Sequence, residues 1–197
     1  ASSPTLVARP VRSAAPKWGT TVGSGESAPV GVDITRPSIA RVYDFMIGGK
    51  DNFAVDRQAA EMALRITPDG PEAGKASRAF LRRAVRHLVA EAGITQILDI
   101  GSGLPTQGNV HEIAHEVDPN IRVVYVDNDP MVLAHGRALL ADATTTVVQA
   151  DIRDLDAIVN APEVRSFIDF DQPVGLLLLS ILHHLQDEED PGQIAAQ

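Results

Sequence analysis

The chain has 197 residues, of which 44% are hydrophobic and 22% charged, enough for one globular domain with a real core. A formal net charge of −9 and only 4% aromatic residues argue against nucleic acid as a partner, which calls for a basic footprint or stacking platforms. With no cysteine, disulfides, thiolate nucleophiles and cysteine-type zinc sites are excluded.

Residues 1–32 are rich in Ala, Ser, Pro, Thr, Gly and Val without periodicity, and read as a disordered leader. They contain arginines but no apolar signal core, and no run in the chain reaches the ~20 apolar residues of a membrane span. The expectations are a cytoplasmic protein with no membrane partner and a small-molecule substrate. The oligomeric state is not specified by any feature.

Order is expected from about Arg36-Pro37. Ile39, Val42, Tyr43 and Met46 recur at helical spacing over Ser38–Ile47, and Gly48-Gly49 ends that helix. After the Lys50-Asp51-Asn52 turn, 53–66 reads as a second helix. A third opens at Pro71 and runs to about Ala92. Phe80, Leu81, Ala84, Val85, Leu88 and Val89 form its apolar face. Lys75, Arg78, Arg82, Arg83 and Arg86 line its other side, read as a solvated stripe. Residues 33–94 thus form an amino-terminal helical segment.

From Thr95 strands and helices alternate. Strands are expected at Gln96–Ile100, Ile121–Val126, Thr145–Gln149 and Val174–Leu179. Helices are expected at 107–117 (core Val110, Ile113, Ala114, Val117), 130–140, 155–159 and 163–167. The last strand is wholly apolar and so expected to be buried on both faces. This order specifies an α/β fold, a doubly wound Rossmann-like parallel sheet over 95–197 with right-handed crossovers.

Candidate site residues follow from that sheet, because ligands bind beyond the carboxyl ends of parallel strands. The first strand ends in Asp99 and passes into Gly101-Ser102-Gly103, a loop whose bare backbone admits close approach of a ligand. The nicotinamide fingerprint needs a third glycine where this chain has Thr106, so that pattern fails. Asp99 either organises the loop or faces the ligand. Asp127, with Asn128, ends the second strand, where a carboxylate receives a ribose diol; Asp129 is read as a helix cap. Asp151 ends the third strand, placed for an exocyclic amine of adenine, with Ile152 positioned to pack on the ring. Ser180, read as a cofactor contact, and His183 and His184 follow the fourth strand at the edge of the cofactor cleft where substrate enters. Either histidine is a weak candidate for a general base, packing being the other reading.

His111-Glu112-Ile113-Ala114-His115 fits the H-E-x-x-H zinc-protease pattern. It opens a nucleotide-type loop and no third ligand follows, so two solvent-side histidines beside a core face is the reading adopted, and no metal is expected.

Together, 97–103 (Ile-Leu-Asp-Ile-Gly-Ser-Gly), 124–133 (Val-Tyr-Val-Asp-Asn-Asp-Pro-Met-Val-Leu), 149–152 (Gln-Ala-Asp-Ile) and 179–185 (Leu-Ser-Ile-Leu-His-His-Leu) resemble the motifs of class I S-adenosylmethionine-dependent methyltransferases. The stretch 36–57, with Gly-Ser-Gly-Leu-Pro-Thr (101–106) and Asn-Val-His-Glu (109–112), is similar to a bacterial group, the S-adenosyl methyltransferase family once called DUF574. The resemblance covers about 34–197. It implies S-adenosyl-L-methionine as cofactor, methyl transfer to a nucleophile that no motif identifies, and an amino-terminal segment folded over the site. Tyr43, Gly48, Gly49, Lys50, Asp51 and Asn52 become lid candidates, with Tyr43, Gly49 and Asn52 assigned to the cofactor. A full class I sheet has seven strands, and this sequence ends soon after the fourth; the expectation is a sheet truncated there, in a fragment or a shortened protein. The competing functions are a non-catalytic cofactor-binding module, a nicotinamide oxidoreductase and a zinc hydrolase.

Overall fold

The structure, a computed structural model, describes residues 28–105, 108–139 and 143–197. The element order is α1 (Ile39–Met46), α2 (Ala54–Ile66), α3 (Gly70–Ala90), β1 (Gln96–Ile100), α4 (Val110–His115), β2 (Arg122–Asp127), α5 (Pro130–Leu139), β3 (Thr145–Gln149), α6 (Leu155–Asn160), α7 (Pro162–Phe167), β4 (Gly175–Leu177) and α8 (Pro191–Ala196). Two 3-10 turns, Leu182–His184 and Asp187–Glu189, lie between β4 and α8.

The four strands pair in parallel in the order β3-β2-β1-β4. This is the doubly wound arrangement, in which strand order reverses beside β1 and opens a crevice at the carboxyl edge. The period-two alternation of the strands sorts the core onto two faces. Ile97, Val123, Tyr125, Val147 and Leu177 meet Leu81, Val85 and Val89 of α3 and Val110, Ile113 and Ala114 of α4. Leu98, Ile100, Val124, Val126 and Val148 meet Ile158 of α6, Val164 of α7 and Ile194 of α8. A third cluster joins Ala28, Phe53 and Leu104 to Met131 and Val132 of α5. It fastens the amino-terminal segment to the sheet domain.

Four expectations need correction. The leader's residues 1–27 lie outside the described residues, but Ala28 is buried, so packing begins before Arg36. The fourth strand is shorter than 174–179 and is not buried on both faces. Leu176 is 53% exposed, because β4 is bonded on one side only and no described residue covers that part of its face. Phe80 is exposed on α3, where it takes the Arg83 guanidinium 6.0 Å from its ring, while Leu81, Val85 and Val89 face the core. The fourth helix is shorter than 107–117. The Glu112 carboxylate accepts from the backbone N–H groups of Gly108 (3.0 Å) and Asn109 (2.8 Å), which fixes its start, and Val117 falls past its end, exposed. No helix among the described residues is long and apolar enough to cross a membrane.

Candidate cofactor-binding site

A cavity of about 750 Å³ opens at the carboxyl edge of the sheet. Its floor is made by the ends of β1, β2 and β3 and the segment after β4; its roof comes from residues 31–43 and from Ser77, Arg78 and Leu81 of α3.

The loop after β1 is held from below. The Val126 carbonyl accepts from Gly101 N (2.8 Å) and Ser102 N (3.2 Å). Gly101 is in the left-handed region (φ +75°), and a Cβ there would lie 2.6 Å from Ile181 Cγ1. Gly103 is also left-handed (φ +69°), yet a Cβ built on it meets nothing within 4 Å. The first glycine is required by protein packing; the second presents bare backbone to the cavity. Beside it, Ser102 Oγ is buried with no hydrogen-bond partner among the described residues. A buried hydroxyl without a partner is costly, so a ligand group that bonds it is favoured.

Asp127 is fixed by backbone. One carboxylate oxygen accepts from Gly103 N (2.8 Å), the other from Asp129 N (2.9 Å). A carboxylate has about four acceptor positions, and with Asn128 as a third backbone donor one remains for a ligand. Burial pushes its pKa up, against the hydrogen bonds from Asp129, Gly103 and Asn128. Asp99 is buried more completely, and its pKa is pushed up to about 7. Desolvation is the main cause; Arg78 pulls the value down and the Asp127 charge adds to the rise.

Of the residues expected to meet a ligand, Asp99, Gly101, Ser102, Gly103, Asp127, Asn128, Ile152, Ser180, Tyr43 and His184 line the cavity. Ser180 has φ +54°, a strained backbone for a residue with a side chain, and its hydroxyl lies 3.0 Å from that of Ser77. Gly49, Asn52, Asp151 and His183 are not on the wall. Gly49 and Asn52 serve a different buried group. The Asp44 carboxylate accepts from Asn52 Nδ2 (2.9 Å) and Asp51 N (2.9 Å), and a Cβ on Gly49 would sit 1.9 Å from Asp44 Oδ1. Asp151 accepts from Asn128 Nδ2 (3.2 Å) and Arg153 Nη1 (3.0 Å), and so holds two residues that do reach the wall. Arg153 keeps the Asp151 pKa below the ordinary carboxylate range through its backbone and side-chain hydrogen bonds, helped by Asn128, despite partial burial. The His183 and His184 rings stack with centroids 3.9 Å apart, and burial, then His183, lowers the pKa of His184.

Sequence reasoning missed the network that seats the roof. Asp56 is fully buried and accepts from Ser38 N (2.9 Å) and Phe53 N (2.9 Å). Arg41 Nε pairs with it at 3.2 Å and lies 3.9 Å from Asp129. Asp129 also accepts from the Ser38 hydroxyl and caps α5 through Met131 N (2.8 Å). Arg41 further donates to the carbonyls of Asp33 (3.1 Å) and Arg36 (2.8 Å). These partners are up to 91 residues apart, a separation that no local pattern encodes.

A model of the S-adenosyl methyltransferase family matches residues 25–197. The chain belongs to that family. Two crystal structures resemble it. One is a DUF574 family protein from Streptomyces avermitilis, 45% identical, with a TM-score of 0.79 over 83% of this chain and 64% of that one. The other, from Thermobifida fusca and assigned provisionally to the methyltransferases, is 47% identical, with a TM-score of 0.80 over 89% of this chain and 66% of that one. The chain thus spans about two thirds of the length of these family structures. No curated protein matches it.

Within this family member the H-E-x-x-H residues all have structural uses. His111 Nδ1 lies 2.9 Å from the Tyr125 hydroxyl, His115 Nε2 lies 2.9 Å from the Ile121 carbonyl, and Glu112 caps α4. Among the described residues no cluster of His, Asp and Glu is arranged to hold a metal ion.

Proposed function

We propose that the cavity binds S-adenosyl-L-methionine and that the chain supports transfer of its methyl group to a nucleophile. The observation that carries this is the convergence, at one strand edge, of bare Gly103 backbone, the unpartnered Ser102 hydroxyl and the spare acceptor position of Asp127. The bound cofactor supplies a methyl group on a sulfonium, activated for direct in-line displacement.

The residues' part is to bind, orient and exclude water. Asp127 accepts from a ribose hydroxyl. Ile152 packs on adenine, and Asn128, held by Asp151, supplies polar contact at its edge. Gly101 and Gly103 let the methionine portion lie against backbone, with Asp99 facing its amine. Tyr43 and the other roof residues cover the site. His184 lies on the wall with a depressed pKa, so it is neutral at neutral pH and able to take a proton from an acceptor. Gly49, Asn52 and His183 have no direct role in this reading.

Calorimetric titration with S-adenosylhomocysteine tests it. The wild type binds, and Asp127→Ala weakens binding by about tenfold or more, the loss expected for hydrogen bonds to a charged group. Unchanged affinity in that variant, or binding of NADH in its place, overturns the reading.

A further inference from the structure

Among the described residues, two other than glycine have a left-handed backbone. Asp190 (φ +47°) caps α8, its carboxylate accepting from Gln193 N (3.1 Å), and that local bond accounts for it. Ser180 (φ +54°) has no such local use. It lies in the segment that leaves β4, on the cavity wall between Leu179 and Ile181. A residue with a side chain is strained in this region, and the strain persists only where the surroundings hold it.

Ser180 is held from two sides. Its hydroxyl lies 3.0 Å from that of Ser77, which belongs to α3 on the roof. The next residue, Ile181, is wedged against the loop after β1, where a Cβ on Gly101 would lie 2.6 Å from it. The chain then closes a 3-10 turn on the Ile181 carbonyl, which accepts from His184 N (3.0 Å). Buried Leu185 anchors the far end. The reversal at Ser180 thus sets both the contact with Gly101 and the direction from which His184 reaches the wall. Glycine takes this conformation without strain; serine adds a hydroxyl that ties the segment to α3.

We infer that Ser180 is a positioning residue. Its left-handed backbone, held by the Ser77 hydroxyl, sets Ile181 against the glycine loop and His184 on the wall, so that the floor of the site takes its shape when α3 is seated. This rests on the cofactor reading above and gives Ser180 an indirect part in place of a cofactor contact.

The test sets Ser180→Ala against Ser180→Gly. Both lose the hydroxyl, but only alanine keeps the strain. By NMR, the Gly101 amide and Ile181 methyl signals should move in Ser180→Ala and in Ser77→Ala. They should stay near their wild-type positions in Ser180→Gly and return to them in the double variant of Ser77→Ala with Ser180→Gly. Calorimetry with S-adenosylhomocysteine should follow the same pattern. Each single alanine variant should bind about tenfold more weakly, and the variants with glycine at 180 within about twofold of wild type. Ser77→Ala leaves residue 180 itself unaltered, so the comparison survives a poorly folding Ser180→Ala. Equal losses of affinity in Ser180→Ala and Ser180→Gly overturn the inference, because they mark a hydroxyl that meets the ligand directly. Unmoved Gly101 and Ile181 signals in both alanine variants overturn it as well. Wild-type protein that binds no S-adenosylhomocysteine overturns the cofactor reading, and the NMR comparison still decides the role of Ser180.

Discussion

Replacing Asp99 by asparagine should stabilise the ligand-free protein, and by an amount that grows with pH. The Asp99 pKa is pushed from 3.8 to about 7, mainly by burial. The groups facing it are Arg78 from α3 and Asp127 and Tyr125 from β2. A carboxyl with a higher pKa folded than unfolded keeps its proton in the folded state across that window. Stability therefore falls as pH rises from about 4 to about 7 and levels off above. At about 1.4 kcal/mol for each pH unit, the full cost of ionising it in place is about 4.5 kcal/mol. Asparagine lacks this titration. The stability difference between Asp99→Asn and wild type, from urea unfolding, should widen by about 3 kcal/mol between pH ~5 and pH ~8. Carboxylates other than Asp127, which faces Asp99, titrate alike in both proteins and cancel. A difference that does not change with pH refutes the assignment of a buried, proton-holding acid at the end of β1.

Gly103→Ala should fold with a loss of about 1–2 kcal/mol, the cost of a side chain in the left-handed region, yet bind S-adenosylhomocysteine poorly in calorimetry; normal binding would mean that no ligand approaches there. Arg41→Met leaves Asp56 and Asp129 buried without their cation, so urea unfolding should show about 3–5 kcal/mol lost. Gly49→Ala forces a Cβ onto Asp44, and the melting temperature should fall while the folded protein keeps its ligand affinity. His115→Ala should bind S-adenosylhomocysteine as the wild type does; a loss that tracks zinc content would revive the hydrolase reading.

The sheet was legible because its signals are local. Val123–Val126 and Gln96–Ile100 are runs short enough for strands and bounded by turn residues, with Asp127 just past the first and Asp99 one residue before the end of the second. Asp127 could be placed from β2 alone. Arg78 could not, because its spacing matches that of its solvated neighbours and only the fold turns it inward. Gly49 and Asn52 misled for a related reason. The Gly-Gly-x-x-Asn chemistry of a turn that encloses a buried aspartate is the same chemistry that encloses a ligand. The exposure of Leu176 was hidden because composition reports an apolar run and says nothing of which strands have a second neighbour.

The attachments of the roof differ in strength from one side to the other. Toward α5 it is held by the buried Ser38–Arg41–Asp56–Asp129 network, whose disruption costs several kcal/mol. Toward the segment after β4 it is held by a hydroxyl pair, Ser77 and Ser180, worth about 1 kcal/mol. Thermal fluctuation samples the weaker seam far more often. The polar seam expected to open first is therefore the one at Ser77 and Ser180, while the core burial of Leu81, Val85 and Val89 keeps the rest of α3 in place.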